Sequence, residues 1–354
     1  MANKLKIGIV GCGGILEFSH FPAYLKMDDV ELVGFCDIDI SRAEKMAKRY
    51  QEEKNLDFTP PVFEKYTDLI NMEGIEAVDI CTPNYLHAIV AVAAFEKGLH
   101  VACEKPDAVS VSEAIKMKEA SEKAGKVLIV MRNNRFGLAQ ALKDKIEVGE
   151  LGEIYAARCG WQRRRGGPPH GSWFSQKEQS GGGPLIDLGV HMIDVSMWLM
   201  GNPKPISVSG CTYQKFGNDC NEDPLEEGKE SIFDVEDLAM AFVRFDNGAC
   251  LQVEVSWGSN VKTDKVFYEL RGTKAGAHKD SGIEIILGPE SGEQDYKLED
   301  PMRRPGGHYG NLRHFVDVVL YGAEPIFTPE QGLNMIKILE AIYTSAKTGR
   351  EVLL

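Results

Sequence analysis

The chain has 354 residues, 43% of them hydrophobic and 26% charged, which is enough for two domains that each bury a core. Its net charge of −13 argues against a general binder of nucleic acid or anionic membranes, because both partners need a basic surface. The eight cysteines show no C-x-x-C pair or metal-ligand spacing, and several lie in apolar strands as reduced thiols do. With no apolar run of membrane-spanning length and no signal-peptide pattern, we expect a soluble cytoplasmic protein without a metal site.

The first predicted element is a short apolar strand, Leu5–Val10, that runs into a glycine turn and then a helical pattern. In this context Gly11 makes the tight turn, and Gly13 lets the backbone approach a pyrophosphate at the helix N-terminus. Leu16 stands at the third glycine position, so the G-x-G-x-x-G fingerprint is incomplete. A plain strand-to-helix turn is the alternative interpretation.

A second predicted strand, Val30–Cys36, ends at Asp37, about 20 residues beyond the glycine turn. A carboxylate there accepts hydrogen bonds from the adenosine ribose hydroxyls and repels a 2′-phosphate, so NAD is favoured over NADP. Arg42 lies near enough in sequence to leave the use of NADP open.

Two more predicted strands, Ala77–Cys81 and His100–Cys103, are followed by Thr-Pro-Asn-Tyr-Leu-His and Glu-Lys-Pro. Ligands of an open α/β sheet bind outside the carboxyl ends of its strands, so both segments are predicted to face one crevice. The alternative for Lys105 is an ordinary ion pair in a surface turn. The predicted cofactor-binding residues are Gly11, Gly13, Gly14, Ile15, Asp37, Arg42, Cys81, Thr82, Pro83, Asn84, His87, Glu104 and Lys105.

The order of elements changes near residue 131. Before it, strands alternate with helices, which predicts an α/β fold with a doubly wound parallel sheet over residues 1–131. After it, successive alternating runs with short turns predict a largely antiparallel sheet within an α+β domain over 132–354, whose last helices could pack on the first domain. The Gly/Pro-rich segment 163–174 is predicted to be a substrate-binding flap, or else its arginines cover a sheet face. The acidic stretch 216–230 is predicted to be an irregular insertion.

In the segment Ser180–Gly201, three glycines predict a chain reversal, Pro184 suits the first turn of a helix and Gly201 suits its end. This helix is apolar almost throughout, so it should be buried. Asp187, His191 and Asp194 nevertheless follow one another at i, i+4 and i+7, which places them on one face of a regular helix. A buried carboxylate beside an imidazole needs a partner or a task. A structural Asp–His hydrogen bond is the alternative to a catalytic pair. His20, His100, His278 and His314 are interpreted as structural or surface residues.

Together these segments resemble the glucose–fructose oxidoreductase, inositol dehydrogenase and rhizopine catabolism family, Gfo/Idh/MocA. The resemblance spans nearly the whole chain. It depends on G-C-G-G after the first strand, Asp37, T-P-N-Y-L-H at 82–87, E-K-P at 104–106, G-G-G-P-L-I-D-L-G-V-H at 181–191 and S-A-K-T-G-R-E-V near the end. It implies an N-terminal Rossmann domain and a C-terminal α/β domain with an open sheet that forms homodimers or homotetramers.

The resemblance also implies that Lys105, Asp187 and His191 are catalytic and meet beside a bound nicotinamide. The implied reaction oxidises a secondary alcohol of a sugar, sugar acid, cyclitol or nucleotide sugar, with NAD or NADP. Two relatives of the same fold stay as alternatives: a glycosidase that recycles its NAD and a non-catalytic NAD-binding regulator. The substrate is predicted to contact Asn134, Arg135, Arg163, Trp173, Asp187, His191 and His308, and the arginines suggest an anionic group on it.

Overall fold

A computed structural model describes residues 4–221, 223–225, 231–288 and 294–354 of the chain. The chain divides into two compact units. The first comprises Met1–Asn133 and Pro305–Leu333, and the second Asn134–Arg304 and Asn334–Leu354.

The strands and helices are numbered along the chain. The strands are β1 Leu5–Val10, β2 Val30–Cys36, β3 Val62–Phe63, β4 Ala77–Ile80, β5 His100–Cys103, β6 Leu128–Val130, β7 Ile154–Gln162, β8 Pro205–Tyr213, β9 Leu238–Phe245, β10 Cys250–Ser256, β11 Lys265–Gly272, β12 Ala275–Lys279, β13 Ile283–Leu287, β14 Tyr296–Lys297 and β15 Val352–Leu353. The α-helices are α1 Phe21–Leu25, α2 Ile40–Lys54, α3 Tyr66–Ile70, α4 His87–Glu96, α5 Val111–Ala124, α6 Leu138–Glu147, α7 Lys177–Ser180, α8 Val190–Leu199, α9 Gly307–Tyr321 and α10 Pro329–Thr348.

The first unit contains a six-stranded, wholly parallel sheet in the order β3-β2-β1-β4-β5-β6. Its inner strands are short apolar runs buried on both faces, as parallel strands covered by helices require. The strand order reverses between β1 and β4, which is the position where doubly wound sheets bind dinucleotides at the carboxyl ends of their strands. The predicted Rossmann-type sheet is confirmed.

The second unit contains a nine-stranded sheet in the order β14-β13-β12-β11-β7-β10-β9-β8-β15. Every described pair in it is antiparallel except β7 with β10, which confirms a mostly antiparallel sheet. Strand β12 was not predicted, because its sequence Ala-Gly-Ala-His-Lys has little intrinsic strand preference and is held by its two neighbours.

The helical segment predicted between Pro184 and Gly201, after a chain reversal at the three glycines, is present, but it does not begin as a regular α-helix. A short helix, α7, ends at Gly181, which has φ +84°. A π-helical turn over Leu185–Gly189 then leads directly into α8. A second π-helical turn, Leu16–His20, follows the glycine turn of the first unit and continues into α1.

Among the described residues, no helix is both long enough and apolar enough to cross a membrane. Of the predicted acidic insertion, residues 217–220 form a 3-10 turn, whereas 222 and 226–230 lie outside the described residues.

Candidate functional site

The glycine turn after β1 has the geometry of a phosphate cradle. Gly11 has φ +97°, and a Cβ atom on it would lie 2.6 Å from the carbonyl oxygen of Cys81, so no larger residue fits. Gly13 faces open space instead, with no heavy atom within 4 Å of a Cβ placed there. An anionic group can therefore come close to the backbone at Gly13. The glycine turn thus fits the pyrophosphate of a dinucleotide.

Asp37 fixes this turn from the end of β2. Its Oδ2 accepts the backbone N–H of Cys12 at 2.7 Å, and its Oδ1 accepts that of Asp39 at 2.9 Å. Arg42 lies on the surface, with its Nε 3.3 Å from Asp39 Oδ2. The predicted ribose-binding carboxylate is therefore also part of the turn that would hold the pyrophosphate.

The segments after β4 and β5 are tied together by His87. This imidazole is fully buried, with Nδ1 2.7 Å from the carbonyl oxygen of Pro106 and Nε2 3.0 Å from that of Thr82. Burial lowers its pKa, although both carbonyls oppose that effect. Its position between the two loops favours a positioning role over the cofactor contact predicted for it. Of the other predicted cofactor residues here, Thr82 and Pro83 are partly exposed, whereas Cys81 and Asn84 are buried.

Lys105 stands at the carboxyl end of the sheet, two residues after β5 ends. Its own backbone N–H donates to Oε2 of Glu104 at 3.0 Å, and the peptide bond to Pro106 is cis. Glu104 is buried, whereas Lys105 is only partly buried. The side chain predicted to be catalytic thus extends from a backbone that a buried carboxylate holds.

His20, interpreted from the sequence as a structural or surface residue, is a structural residue of this region with two charged partners. It is wholly buried and lies between two carboxylates, 2.7 Å from Asp79 and 2.9 Å from Glu104. These partners are 59 and 84 residues away in sequence, so no local pattern reveals them. One feature of the sequence did point to a buried ion pair. Asp79 is a carboxylate inside the apolar run Ala77–Ile80, and a buried charge needs a partner.

In the second unit, the π-helical turn and α8 present two polar side chains from an otherwise buried segment. Between Leu185 and Met200, every residue is buried except Asp187 and His191. Asp187 Oδ2 accepts the indole N–H of Trp257 at 3.0 Å, and the ring of His191 lies 6.2 Å from that of Trp161, measured between centroids. Of the three residues that the spacing placed on one face, Asp187 and His191, which the family resemblance selects as catalytic, are therefore the accessible pair.

Asp194 does not share that face, and Arg135 is not accessible to a substrate. The two form a buried bidentate ion pair, with guanidinium-to-carboxylate distances of 2.8 and 2.7 Å, and only 1% of Arg135 is exposed. Because a π-helical turn contains more residues per turn than an α-helix, the i, i+7 spacing from Asp187 to Asp194 no longer returns to one face. The prediction of Arg135 as a substrate contact is therefore not supported.

A buried glutamate anchors the glycine run that precedes Asp187. Glu236 accepts the backbone N–H groups of Gly183 and Leu185 at 3.0 and 3.1 Å and the hydroxyl of Tyr343 at 2.9 Å. Burial raises the pKa of Glu236 despite these donors. A Cβ atom on Gly183 would lie 2.0 Å from the Glu236 carbonyl oxygen, so the close approach requires glycine.

The arginines of the predicted flap bind within the fold. Arg163 donates to the carbonyl of Gly166 at 2.8 Å and lies over the Trp161 ring, 5.2 Å from its centroid. Arg165 lies 4.3 Å above Phe216.

The remaining predicted substrate residues differ in their surroundings. The partly exposed Trp173 stacks on Phe174 at 3.9 Å, and Asn134 is exposed. His308 belongs to the first unit, where its Nε2 lies 3.4 Å from Glu104 Oε1.

Comparison with known proteins assigns both halves of the chain. Residues 5–132 match the oxidoreductase family described as an NAD-binding Rossmann fold, and 143–354 match its C-terminal alpha/beta domain. D-glucoside 3-dehydrogenase of Escherichia coli K12 is 31% identical over 353 residues, covering 99% of this chain and 98% of that protein. The NADP-dependent scyllo-inositol 2-dehydrogenase IolW of Bacillus subtilis 168 is 26% identical, covering 99% of this chain and 96% of that protein. A levoglucosan dehydrogenase structure with NADH and L-sorbose superposes with a TM-score of 0.85 at 25% identity, covering 99% of each chain.

Proposed function

Since the chain belongs to the Gfo/Idh/MocA family of NAD(P)-dependent oxidoreductases, we propose that it interconverts a secondary alcohol and a ketone on a sugar or cyclitol. The relatives that support this substrate class are named for a D-glucoside and for scyllo-inositol. The observation that carries the acid–base part of the proposal is the selective accessibility of Asp187 and His191 on a buried segment.

Each unit would supply part of the chemistry. In the first, Gly11, Gly13 and Asp37 would hold NAD(P), which when bound supplies the hydride acceptor. Lys105 would stabilise the negative charge that develops on the alcohol oxygen as its proton leaves. Its ammonium is suited to that role because the Glu104 carboxylate fixes the backbone from which it extends.

In the second unit, His191 would accept the hydroxyl proton, since an imidazole titrates near neutral pH. Asp187 would orient the substrate or the imidazole. The indole of Trp257 holds one oxygen of its carboxylate, which limits how the side chain can turn.

The contacts of Arg135, Arg163 and Arg165 support an uncharged substrate over the anionic one suggested by the sequence, although Arg164 is exposed. Arg135 is buried against Asp194, and Arg163 and Arg165 bind within the fold. Replacing Arg163, Arg164 and Arg165 together by Gln should therefore change kcat/KM for a neutral sugar by less than about threefold, about 0.7 kcal/mol. A decrease in kcat/KM of tenfold or more would instead support an anionic substrate.

The direct test is a panel of glycosides, aldoses and cyclitols assayed by nicotinamide absorbance with NAD and with NADP. For the best substrate, Lys105→Ala should lower kcat by about a thousandfold, while the Kd for NADH stays within about threefold. Lys97→Ala, which removes a lysine from the exposed end of α4, is the matched control and should leave both constants unchanged. Full turnover by Lys105→Ala, or cleavage of a glycoside with no accumulation of NADH, would contradict the proposal.

A further inference from the structure

The buried ring of His20 faces a hydrogen-bond acceptor at each nitrogen. Nδ1 lies 2.7 Å from Asp79 Oδ2, and Nε2 lies 2.9 Å from Glu104 Oε1. While both carboxyls are ionised, neutral imidazole has one N–H and can satisfy only one of these oxygens, whereas the imidazolium donates to both. The pairing of the ring with two carboxylates therefore favours the cationic form.

The other titratable groups around the ring do not supply a competing anion. The Sγ atom of Cys81 lies 3.4 Å from Nδ1, but burial raises the pKa of that thiol to about 12. Burial and Asp79 likewise keep the pKa of Tyr24 well above its ordinary value. His308 faces Glu104 from α9 and is partly exposed.

Glu104 links this cation to the lysine assigned to catalysis. Its Oε1 accepts from His20, and its Oε2 accepts the backbone N–H of Lys105. A hydrogen bond at Oε1 restricts the rotation of the carboxylate, so the imidazolium helps to keep Oε2 against the Lys105 N–H. We propose that His20 is a permanently protonated positioning residue for Lys105, a role that depends on the function proposed above.

The charges also explain why this proton persists. Burial alone would lower the pKa of His20, but Asp79 and its hydrogen bond raise it well above the ordinary value. Burial would raise the pKa of Glu104, but His20 and His308 hold it well below the ordinary value. Because the folded-state pKa of His20 is raised, the stability it contributes is complete below about pH 6.5 and is lost as pH rises through the folded-state pKa.

A metal ion is the alternative occupant of this cluster. Within the described residues, ligand atoms of His20, Glu104 and His308 lie within 4.8 Å of one another, as do those of His20, Asp79 and Cys81. A metal needs the lone pair of a deprotonated ring nitrogen, so it excludes the imidazolium. Measuring the metal content of the protein therefore distinguishes a protonated His20 from a metal-bound His20.

The protonation state is measured on the whole protein, independently of any substrate. In long-range 1H–15N NMR spectra of histidine-labelled protein, with His20 assigned through His20→Gln, both ring nitrogens should carry a proton from pH 6 to pH 9. A neutral tautomer at pH 7.5, or stoichiometric zinc that is missing from His20→Gln, would overturn the proposal. Either result leaves the proposed reaction standing.

The positioning role is measured by kinetics on the best substrate. His20→Gln should lower kcat by about 10- to 100-fold and leave the Kd for NADH within about threefold, because a displaced catalytic group affects the chemical step. His100→Gln, at the amino end of β5, is the matched control and should retain wild-type kcat. Unchanged kcat in His20→Gln would overturn the proposal.

A second variant tests the same proposal if His20→Gln does not fold. Asp79→Asn removes one carboxylate from the ring, so the pKa of His20 should fall toward its ordinary value. A new ionisation that lowers kcat with rising pH should then appear, together with loss of one ring proton in the NMR spectrum. A pH profile identical to wild type, with the imidazolium intact, would refute the mechanism. Absence of turnover by wild-type protein on every sugar would defeat the proposed function instead, while the NMR result still stands.

Discussion

At the scale of single residues, Asp37 has two roles: it is expected to favour NAD over NADP, and it holds the glycine turn in place. One carboxylate oxygen holds the N–H of Cys12 inside the turn, and the other holds the N–H of Asp39 after β2. A 2′-phosphate on the adenosine ribose would bring two negative charges close to this carboxylate. The nearby Arg42 is exposed and paired with Asp39, so it could turn toward such a phosphate at little cost.

We therefore expect Asp37→Ser to shift the ratio of kcat/KM for NADP over NAD upward by at least about tenfold, since a charge–charge repulsion near 4 Å costs about 1–4 kcal/mol. The measurement is steady-state kinetics with both cofactors on one sugar substrate. Asp28→Ser removes the same charge from an exposed residue before β2 and should leave the ratio unchanged. If the ratio of kcat/KM for NADP over NAD were the same in Asp37→Ser and wild type, the carboxylate would not discriminate between the two cofactors.

The same scale shows what sequence reasoning reaches and where it stops. Spacing along one segment placed Asp187, His191 and Asp194 on one face, and the family resemblance then selected Asp187 and His191 as catalytic. Spacing was wrong for Asp194, since the π-helical turn changes which residues share a face. It missed the partners of His20, because they come from strands far away in the chain.

At the scale of elements, the glycine run 181–183 and the π-helical turn after it form a unit held by Glu236. Glycine is required because the backbone of residue 236 passes directly against Gly183. Strand boundaries within this architecture were largely predictable from apolar runs: β1, β2 and β5 begin and end where predicted. The short β3, β14 and β15 were not predicted, because two-residue strands have no periodicity and exist only through their neighbours.

Gly183→Ala should accordingly lower the free energy of unfolding by about 1–3 kcal/mol, because the added methyl group must displace backbone. It should also lower kcat, since the segment that bears Asp187 moves with it. Urea denaturation and steady-state kinetics measure the two effects. Gly282→Ala, in a turn where a Cβ meets nothing within 4 Å, is the control and should be nearly neutral. Wild-type stability in Gly183→Ala would contradict the close approach.

At the scale of the whole molecule, the predicted homo-oligomer stays a prediction, and the nine-stranded sheet is where we expect its interface. Phe242 on β9 is 36% exposed and Ile286 on β13 is 39% exposed, and the same sheet also exposes Tyr155, Ile206, Tyr213 and Leu353. Apolar side chains of this size on an accessible sheet face are suited to pairing between copies.

We expect size-exclusion chromatography with light scattering to show a dimer or tetramer for the wild type and a shift toward monomer for Phe242→Lys, because a charge would be buried in the interface. Phe58→Lys changes a more exposed phenylalanine of the first unit, 57% accessible, and should leave the mass unchanged. A wild-type monomer, or an unaltered oligomer in Phe242→Lys, would place any interface elsewhere.

The aspartate in the middle of β4 also constrains how this chain can change over time. Removing His20 alone would leave Asp79 without the cation that it faces in the core, at a cost of about 3–5 kcal/mol, close to the entire margin that keeps many domains folded. Removing Asp79 alone leaves the ring its second carboxylate, Glu104. A homologous chain that retained Asp79 without His20 would therefore need a newly acquired counter-ion nearby.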